Sequence, residues 1–340
     1  MKKIIYYVTD HGKGHATRSI AIIRELQKYD VEIIIRNSTL IEYFKKSLAG
    51  IKIITGKTDT GPIIQDNGIS IDIARTKDVV GRWLGKIESY AEEESDTMKK
   101  IQPDLIISDI SAMPILAAHK ADVCSMAISN FVWSDVLCNI FSNEIDILNL
   151  AYEKANYAIQ LPFSTDMNQF KNKKNVGVVC KKPTLTRDEV RKKIGIDDSD
   201  FCVFLNLGKF FNLDCKIEDG VKVLSSGAKI NSKNVINLEP WIEGQNLALA
   251  SDLVICKCGY GMVSECLTNG TRFQYLADEN HLEQRAIING LKQKGLENKI
   301  TESHLNKIDF TKDFVLSHKK PNREKYDTNT VASFITEILK

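Results

Sequence analysis

Two kinds of apolar pattern alternate along the chain, and their alternation predicts its fold class. Ile4-Ile5-Tyr6-Tyr7-Val8 is a continuous β-branched and aromatic run, as in a strand covered on both faces. Asp10-His11-Gly12-Lys13-Gly14 breaks it. Beyond the break Ala16, Ile20, Ile23 and Leu26 recur at helical spacing, while Arg18, Arg24, Glu25 and Lys28 take the other side. Further buried strands are expected at 31–35, 51–54 and 103–109, the last after a charged helix at 86–100. This order predicts a parallel sheet wrapped by helices.

Around residues 162–195 the texture turns polar: Pro162, the tract 168–175, Pro183, and then a basic helix opened by the capping box of Thr186 and Glu189 and stopped at Gly195. The stretch reads as an interdomain passage whose basic residues face solvent. A second α/β alternation follows, with strands at 201–208, 252–256 and 273–276. Two similar α/β domains are therefore expected, at 1–160 and 161–324, with a terminal helix at about 325–340 returning to the first.

Composition narrows the function. The 340 residues are 43% hydrophobic and 26% charged, as in an ordinary globular chain, and 46 basic against 44 acidic residues leave +2. No field of that size advertises a nucleic acid. No apolar run approaches the roughly 18 residues of a membrane span, and the apolar run after Met1-Lys2-Lys3 is too short for a signal-peptide core. None of the eight cysteines forms the paired spacing of a structural zinc site. Reduced thiols and a cytoplasmic location are expected.

Two glycine turns carry the candidate chemistry. In the first, Gly12 and Gly14 let the backbone approach a ligand at a helix N-terminus. The third glycine of a dinucleotide fingerprint is missing, and the second strand ends in Arg36-Asn37 rather than an acid. Lys13 is followed by Gly14-His15, not by Ser or Thr, so the magnesium ligand of a P-loop is missing and both common nucleotide readings lose ground. His15 opens the helix, where the neutral imidazole is favoured over the cation, which suits a general base; His11 is the second candidate. The other turn runs Lys257-Cys258-Gly259-Tyr260-Gly261-Met262-Val263-Ser264-Glu265. Its helix N-terminus suits phosphate, Ser264 can donate to a phosphate oxygen, and Glu265 can accept from two ribose hydroxyls. No cofactor and no metal site are expected.

Taken together these segments resemble the nucleotide-sugar glycosyltransferases of the GT-B fold, in which two Rossmann-like domains face each other across a cleft. Asn237-Leu238-Glu239-Pro240-Trp241-Ile242, then 250–255, the 259–265 loop and Leu282-Glu283-Gln284 follow in an order similar to that of the peptidoglycan N-acetylglucosaminyltransferases. Residues 12–18, 129–133, 188–196 and 257–265 resemble the glycosyltransferase-like half of plant L-arabinokinases. Nothing here matches the kinase half of those enzymes. The pattern of residues 12–18 also resembles the nucleotide-sugar hydrolase of pseudaminic acid synthesis. Gly208-Lys209-Phe210-Phe211 departs from the donor-domain pattern, with one glycine where transferases commonly show two.

The resemblance implies an inverting, metal-independent transfer from a nucleoside diphosphate sugar, with uridine as the expected base. The amino-terminal domain would hold the acceptor against Gly12, Gly14 and Arg18, with His15 as base and Asp109, at a strand's carboxyl end, as its orienter or as an alternative base. The carboxyl-terminal domain would bind the donor: Trp241 and Ile242 at the base, Glu265 at the ribose, Gly259, Tyr260, Gly261 and Ser264 at the diphosphate, Glu283 and Gln284 at the sugar, with Gly208 as a further substrate-binding residue. The acceptor stays open between a small molecule, a glycan and a lipid-linked sugar, the last implying peripheral membrane contact. Two alternatives stay open: a hydrolase of the same fold that turns the same residues on water, and a non-catalytic nucleotide-sugar-binding protein.

Overall fold

In the computed structural model, which describes residues 1–238 and 242–340, the run Ile4–Val8 lies on an interior strand of a seven-stranded, all-parallel sheet. Its strands are β1 (Lys2–Val8), β2 (Val31–Asn37), β3 (Lys52–Thr55), β4 (Leu105–Asp109), β5 (Ser125–Ser129), β6 (Tyr157–Gln160) and β7 (Lys173–Asn175), in the spatial order β3-β2-β1-β4-β5-β6-β7. Chain order reverses between β1 and β4, and at such a switch point loops splay apart at the carboxyl ends of the strands and leave room for a ligand. Val8 pairs with Asp109 there, which sets the first glycine turn beside the end of β4. The first helix, Lys13–Leu26, buries Ala16, Ile20, Ile23 and Leu26, as the helical spacing requires.

This first compact unit comprises Met1–Ile63, Ile71–Cys180 and Tyr326–Lys340. It runs on past residue 160 because the polar tract expected as a passage contains β7, an edge strand paired to β6 through Lys173-Lys174-Asn175. Charged residues are tolerated on an edge strand, where they oppose pairing with other chains, so the tract carries no hydrophobic signature. Asp327 closes the unit: its Oδ2 accepts from the Gly177 amide at 2.6 Å, and its own amide donates to the Val178 carbonyl at 2.8 Å. The helix Thr328–Ile338 then packs against Lys13–Leu26.

The second unit, Ile64–Ser70 with Lys181–Lys325, repeats the theme. Its strands are β8 (Phe201–Asn206), β9 (Asn212–Leu213), β10 (Val221–Ser225), β11 (Lys229–Ile230), β12 (Val235–Asn237), β13 (Leu253–Lys257), β14 (Arg272–Leu276) and β15 (Lys299–Ile300). Six of them form a parallel sheet in the order β12-β10-β8-β13-β14-β15, and β9 pairs with β11. The switch point lies between β8 and β13, where Cys256 pairs with Asn206.

The helix Arg187–Ile194 has the expected capping box and ends on Gly195 in the left-handed conformation. Its basic face is not wholly solvated. Arg191 is buried, donating to the carbonyls of Ala250, Asp197 and Asp200, and Arg187 binds the carbonyls of Leu249 and Ser251 and the Asp252 carboxylate. Two of the residues read as a solvated face thus fasten this helix to Gly244–Ala250. All eight cysteines are free thiols. Among the described residues no helix is long and apolar enough to cross a membrane.

Candidate active site

At the first unit's switch point the turn after β1 brings His15 to Asp109. His15 Nδ1 lies 2.8 Å from Asp109 Oδ1. The carboxylate is fully buried and also accepts from Arg18 Nη2 at 2.6 Å, Arg18 Nε at 2.8 Å and the Ser19 hydroxyl at 2.9 Å. Burial alone would raise its pKa; the Arg18 guanidinium and the His15 ring outweigh that and hold it at about 2.

An ionised Asp109 fixes the tautomer of His15. Arg18 Nη2 also approaches Nδ1, but its hydrogens have acceptors in Asp109 Oδ1 and, at 3.2 Å, the Ser129 hydroxyl. An unprotonated Nδ1 would set its lone pair against the carboxylate. The proton therefore belongs on Nδ1, and Nε2 keeps the lone pair that a general base uses. Arg18, expected at the ligand, is instead completely buried and joins Asp109 to Asn130, whose side-chain oxygen accepts from Arg18 Nη1.

Aromatic rings floor this site. Trp133 lies edge-on to His11 at 5.2 Å between centroids and to Phe131 at 5.2 Å, and Phe131 approaches His15 at 5.7 Å. His11 is half-buried under Gly61, where a β-carbon would come within 2.6 Å of its Nδ1. Asp59 anchors the floor: it accepts from Trp133 Nε1 and the Ser111 hydroxyl, each at 2.8 Å, and from the Thr9 hydroxyl at 2.7 Å. Gly12 (φ +81°) and Gly14 have no heavy atom within 4 Å of an added β-carbon, so their backbone stands open at the mouth of the site.

In the second unit the turn after β8 places Gly208 at φ +78°. A glycine from another loop packs against this turn: a β-carbon on Gly227 would lie 3.1 Å from the Gly208 carbonyl carbon. Across the switch point, Gly259 caps the helix Tyr260–Asn269 with no side-chain hydrogen bond, so Tyr260 and Gly261 open the helix at its positive end. Ser264 and Glu265 are buried on that helix, and neither the Ser264 hydroxyl nor Glu265 Oε1 has a hydrogen-bond partner. Orphaned buried polar atoms cost about 1–3 kcal/mol each, which a ligand's hydrogen bonds can offset.

Burial raises the Glu265 pKa to about 7, against the pull of Lys181 and with a contribution from Glu243. Lys181 and Glu243 themselves pair at 3.2 Å. Ile242 is half-buried, just before the helix Gly244–Ala250; Trp241 lies outside the described residues. Glu283 and Gln284 open the helix Leu282–Gln293, where the Gln284 side-chain oxygen accepts from the Asp278 amide at 2.9 Å. The structure brings His15, His11, Asp109 and Arg18 together at one switch point, and Gly208 with the helix opened by Gly259 at the other.

Three residues of these sites carry little local signal in the sequence. Asp59 lies in an irregular stretch with no motif around it. Trp133 lies in the 129–133 segment, where a single tryptophan carries no motif of its own. Lys257, at the end of β13, is half-buried at the second switch point, and burial lowers its pKa. A lone lysine next to a glycine turn was the only local signal for it.

Comparison with known proteins agrees with this architecture. Residues 2–148 match the family model described as glycosyl transferase family 1. L-arabinokinase of Arabidopsis thaliana is 27% identical over 303 residues, covering 84% of this chain; the chain spans 29% of that relative's length. Among solved structures, Arabidopsis thaliana UGT89C1 in complex with UDP superposes with a TM-score of 0.60 at 11% identity, covering 99% of this chain and 91% of that one. The glycosyltransferase SnogD from Streptomyces nogalater gives 0.58 at 11% identity, with both chains fully covered. The kitacinnamycin glycotransferase gives 0.62 at 12%, again over the whole of both chains. The fold is that of these GT-B proteins, and the resemblance to GT-B glycosyltransferases and to L-arabinokinase is borne out.

Proposed function

We propose that this chain, a GT-B glycosyltransferase by resemblance, moves a sugar from a UDP-sugar to an acceptor hydroxyl, with inversion and without a metal. The observation that carries the reading is the 2.8 Å contact of His15 with a buried, ionised Asp109 at a switch point. In the reaction, His15 Nε2 takes the acceptor's proton as its oxygen attacks the anomeric carbon from the face opposite the diphosphate. The bond to the diphosphate breaks, and UDP leaves with the electron pair. Asp109 stabilises the imidazolium that forms.

The departing diphosphate gains negative charge, and we assign its stabilisation to the positive N-terminus of Tyr260–Asn269 and to the Lys257 ammonium, at the end of the adjacent strand. Positive charge fixed in the protein takes the part that a cation takes elsewhere. Glu265 receives the ribose hydroxyls through its orphaned oxygen, Ile242 and Trp241 face the base, and Glu283 and Gln284 face the sugar. Support for uridine comes from UGT89C1, a fold relative whose structures carry UDP and UDP-L-rhamnose.

The test is release of free nucleoside diphosphate from a panel of nucleotide sugars, with and without small alcohols, glycans and lipid-linked sugars as acceptors. Turnover is expected from UDP-sugars, only with an acceptor present, and undiminished in EDTA. Activity lost in EDTA and restored by magnesium would overturn the metal-free reading. Fast, His15-dependent release of free sugar with no acceptor, at an ordinary turnover of about 1–10³ per second, would make the chain a hydrolase. Tight binding with no turnover on any acceptor would make it a binding protein.

A further inference from the structure

Although it lies early in the chain, Ile64–Ser70 belongs to the second unit, where it forms a self-braced turn. The Gln65 amide donates to the Ser70 carbonyl at 2.8 Å and the Gly68 amide to the Gln65 carbonyl at 2.9 Å. Asn67 Oδ1 accepts from the amides of Ile69 and Ser70 at 2.9 and 3.0 Å. Ile69 packs against the apolar core that includes Phe211 and Leu213. The turn therefore has its own internal bracing and its own anchor.

Its tip meets the donor turn. Gly68 is buried at φ +71°, and a β-carbon there would lie 2.8 Å from Phe210 Cδ2 and 3.1 Å from Lys257 Nζ. Only glycine combines that backbone angle with that closeness. Lys257 Nζ in turn lies 5.3 Å from the Phe210 ring centroid and 5.9 Å from that of Phe211. The same ammonium lies 3.9 Å from where a β-carbon on Gly208 would be. Among the described residues no carboxylate pairs with Lys257; aromatic faces and the strap surround it. A half-desolvated ammonium on aromatic faces is incompletely compensated, and an anion set over the Gly208 turn would complete it.

We propose that the strap Ile64–Ser70 is a positioning element of the donor site: by seating Gly68 against Phe210 and Lys257, it holds the Lys257 ammonium over the Gly208 turn, where the donor's diphosphate lands. This rests on the donor reading given above and adds to it a segment outside the donor motifs. The strap touches no substrate; it acts through Lys257, excluding water from one side of the ammonium and fixing its direction. Its contribution therefore belongs to the diphosphate part of the donor, not to the nucleoside.

Calorimetry on the full chain separates those parts, using UDP and uridine as probes. Lys257→Met and Gly68→Ala are each expected to weaken UDP binding about ten- to a hundredfold, the range for losing a charge-assisted contact, and to leave uridine binding within about twofold. In the double variant the losses should not add, because the strap works through the same ammonium. Asn67→Ala loosens the turn without touching Phe210, and it decides the matter if Gly68→Ala fails to fold. Wild-type preference for UDP over uridine in Gly68→Ala and Asn67→Ala would overturn the proposal while leaving the donor reading intact. Equal losses of UDP and uridine would reduce the strap to a structural brace and overturn it too. A wild-type chain that binds neither probe would overturn the donor reading itself, and this proposal with it.

Discussion

Replacing His15 with alanine should lower turnover by about 10²–10⁴-fold, the usual contribution of a positioned general base, and leave donor affinity nearly unchanged. The split follows from the geometry: His15 lies in the first unit against Asp109, Phe131 and Trp133, whereas the residues proposed to hold the donor belong to the second. Asp109→Asn should lower turnover as well, because an amide no longer forces the proton onto Nδ1. That variant should also lower the melting temperature, since Arg18 would lose the buried carboxylate that accepts from Nε and Nη2. His15→Ala leaves the buried pair of Arg18 with Asp109 intact and should lower the melting temperature less than Asp109→Asn does. Steady-state rates with a UDP-sugar and an accepted alcohol, beside calorimetric donor affinities, check the split. Turnover within tenfold of wild type in His15→Ala would remove the base assignment.

The second large effect is expected at Glu265, where function and stability should move in opposite directions. Burial holds this carboxyl at about 7 in the folded chain, against an ordinary value of 4.5. Between those values the folded chain keeps a proton that the unfolded chain has released. Stability therefore falls as pH rises from about 4.5 to about 7, then levels off. The total is about 3 kcal/mol, at 1.36 kcal/mol per unit. Glu265→Gln removes this titration, so it should melt higher than wild type at pH 8 and close to wild type at pH 5.

Donor binding should show the reverse. Ribose hydroxyls donate to the ionised carboxylate, so affinity for a UDP-sugar should rise from pH 5.5 to about 7 and then flatten, with a proton released on binding near neutrality. A UDP-sugar is the right probe, because its esterified phosphates do not titrate in that window. Glu265→Gln should bind about ten- to a hundredfold more weakly at pH 8, with a flat pH profile. Equal affinity in the variant, or a flat profile in the wild type, would remove Glu265 from the ribose.

The two-sheet architecture was legible in the sequence, because its signals are local. A strand buried on both faces has to be a continuous apolar run, and a covering helix has to repeat its apolar residues every three or four positions; 4–8, 201–205 and 253–256 satisfy the first, and Ala16, Ile20, Ile23 and Leu26 the second. Where burial is incomplete the signal vanishes, and so β7 was read as part of a polar passage. The glycine turns were legible for the same local reason, since a strand that stops at a glycine and restarts as a helix needs no distant partner to be recognised. His15 and Glu265 could be nominated from their places on those turns.

What surrounds each nominee was decided by residues far away in the chain. Asp109 lies 94 positions from His15, and only the pairing of β1 with β4 brings them level. Arg18, which the motif placed at the ligand, became the buried partner of that carboxylate, because the helix turns its side chain inward toward β4 and Asn130. Asp59 fastens the aromatic floor from a loop with no pattern of its own. Gly227 closes on the Gly208 turn from another loop. Ile64–Ser70, early in the chain, joins the second unit. Periodicity is a property of neighbours along the chain, so sequence could determine the elements and the turns; charge, desolvation and close approach depend on neighbours in space, and only the tertiary structure could set those.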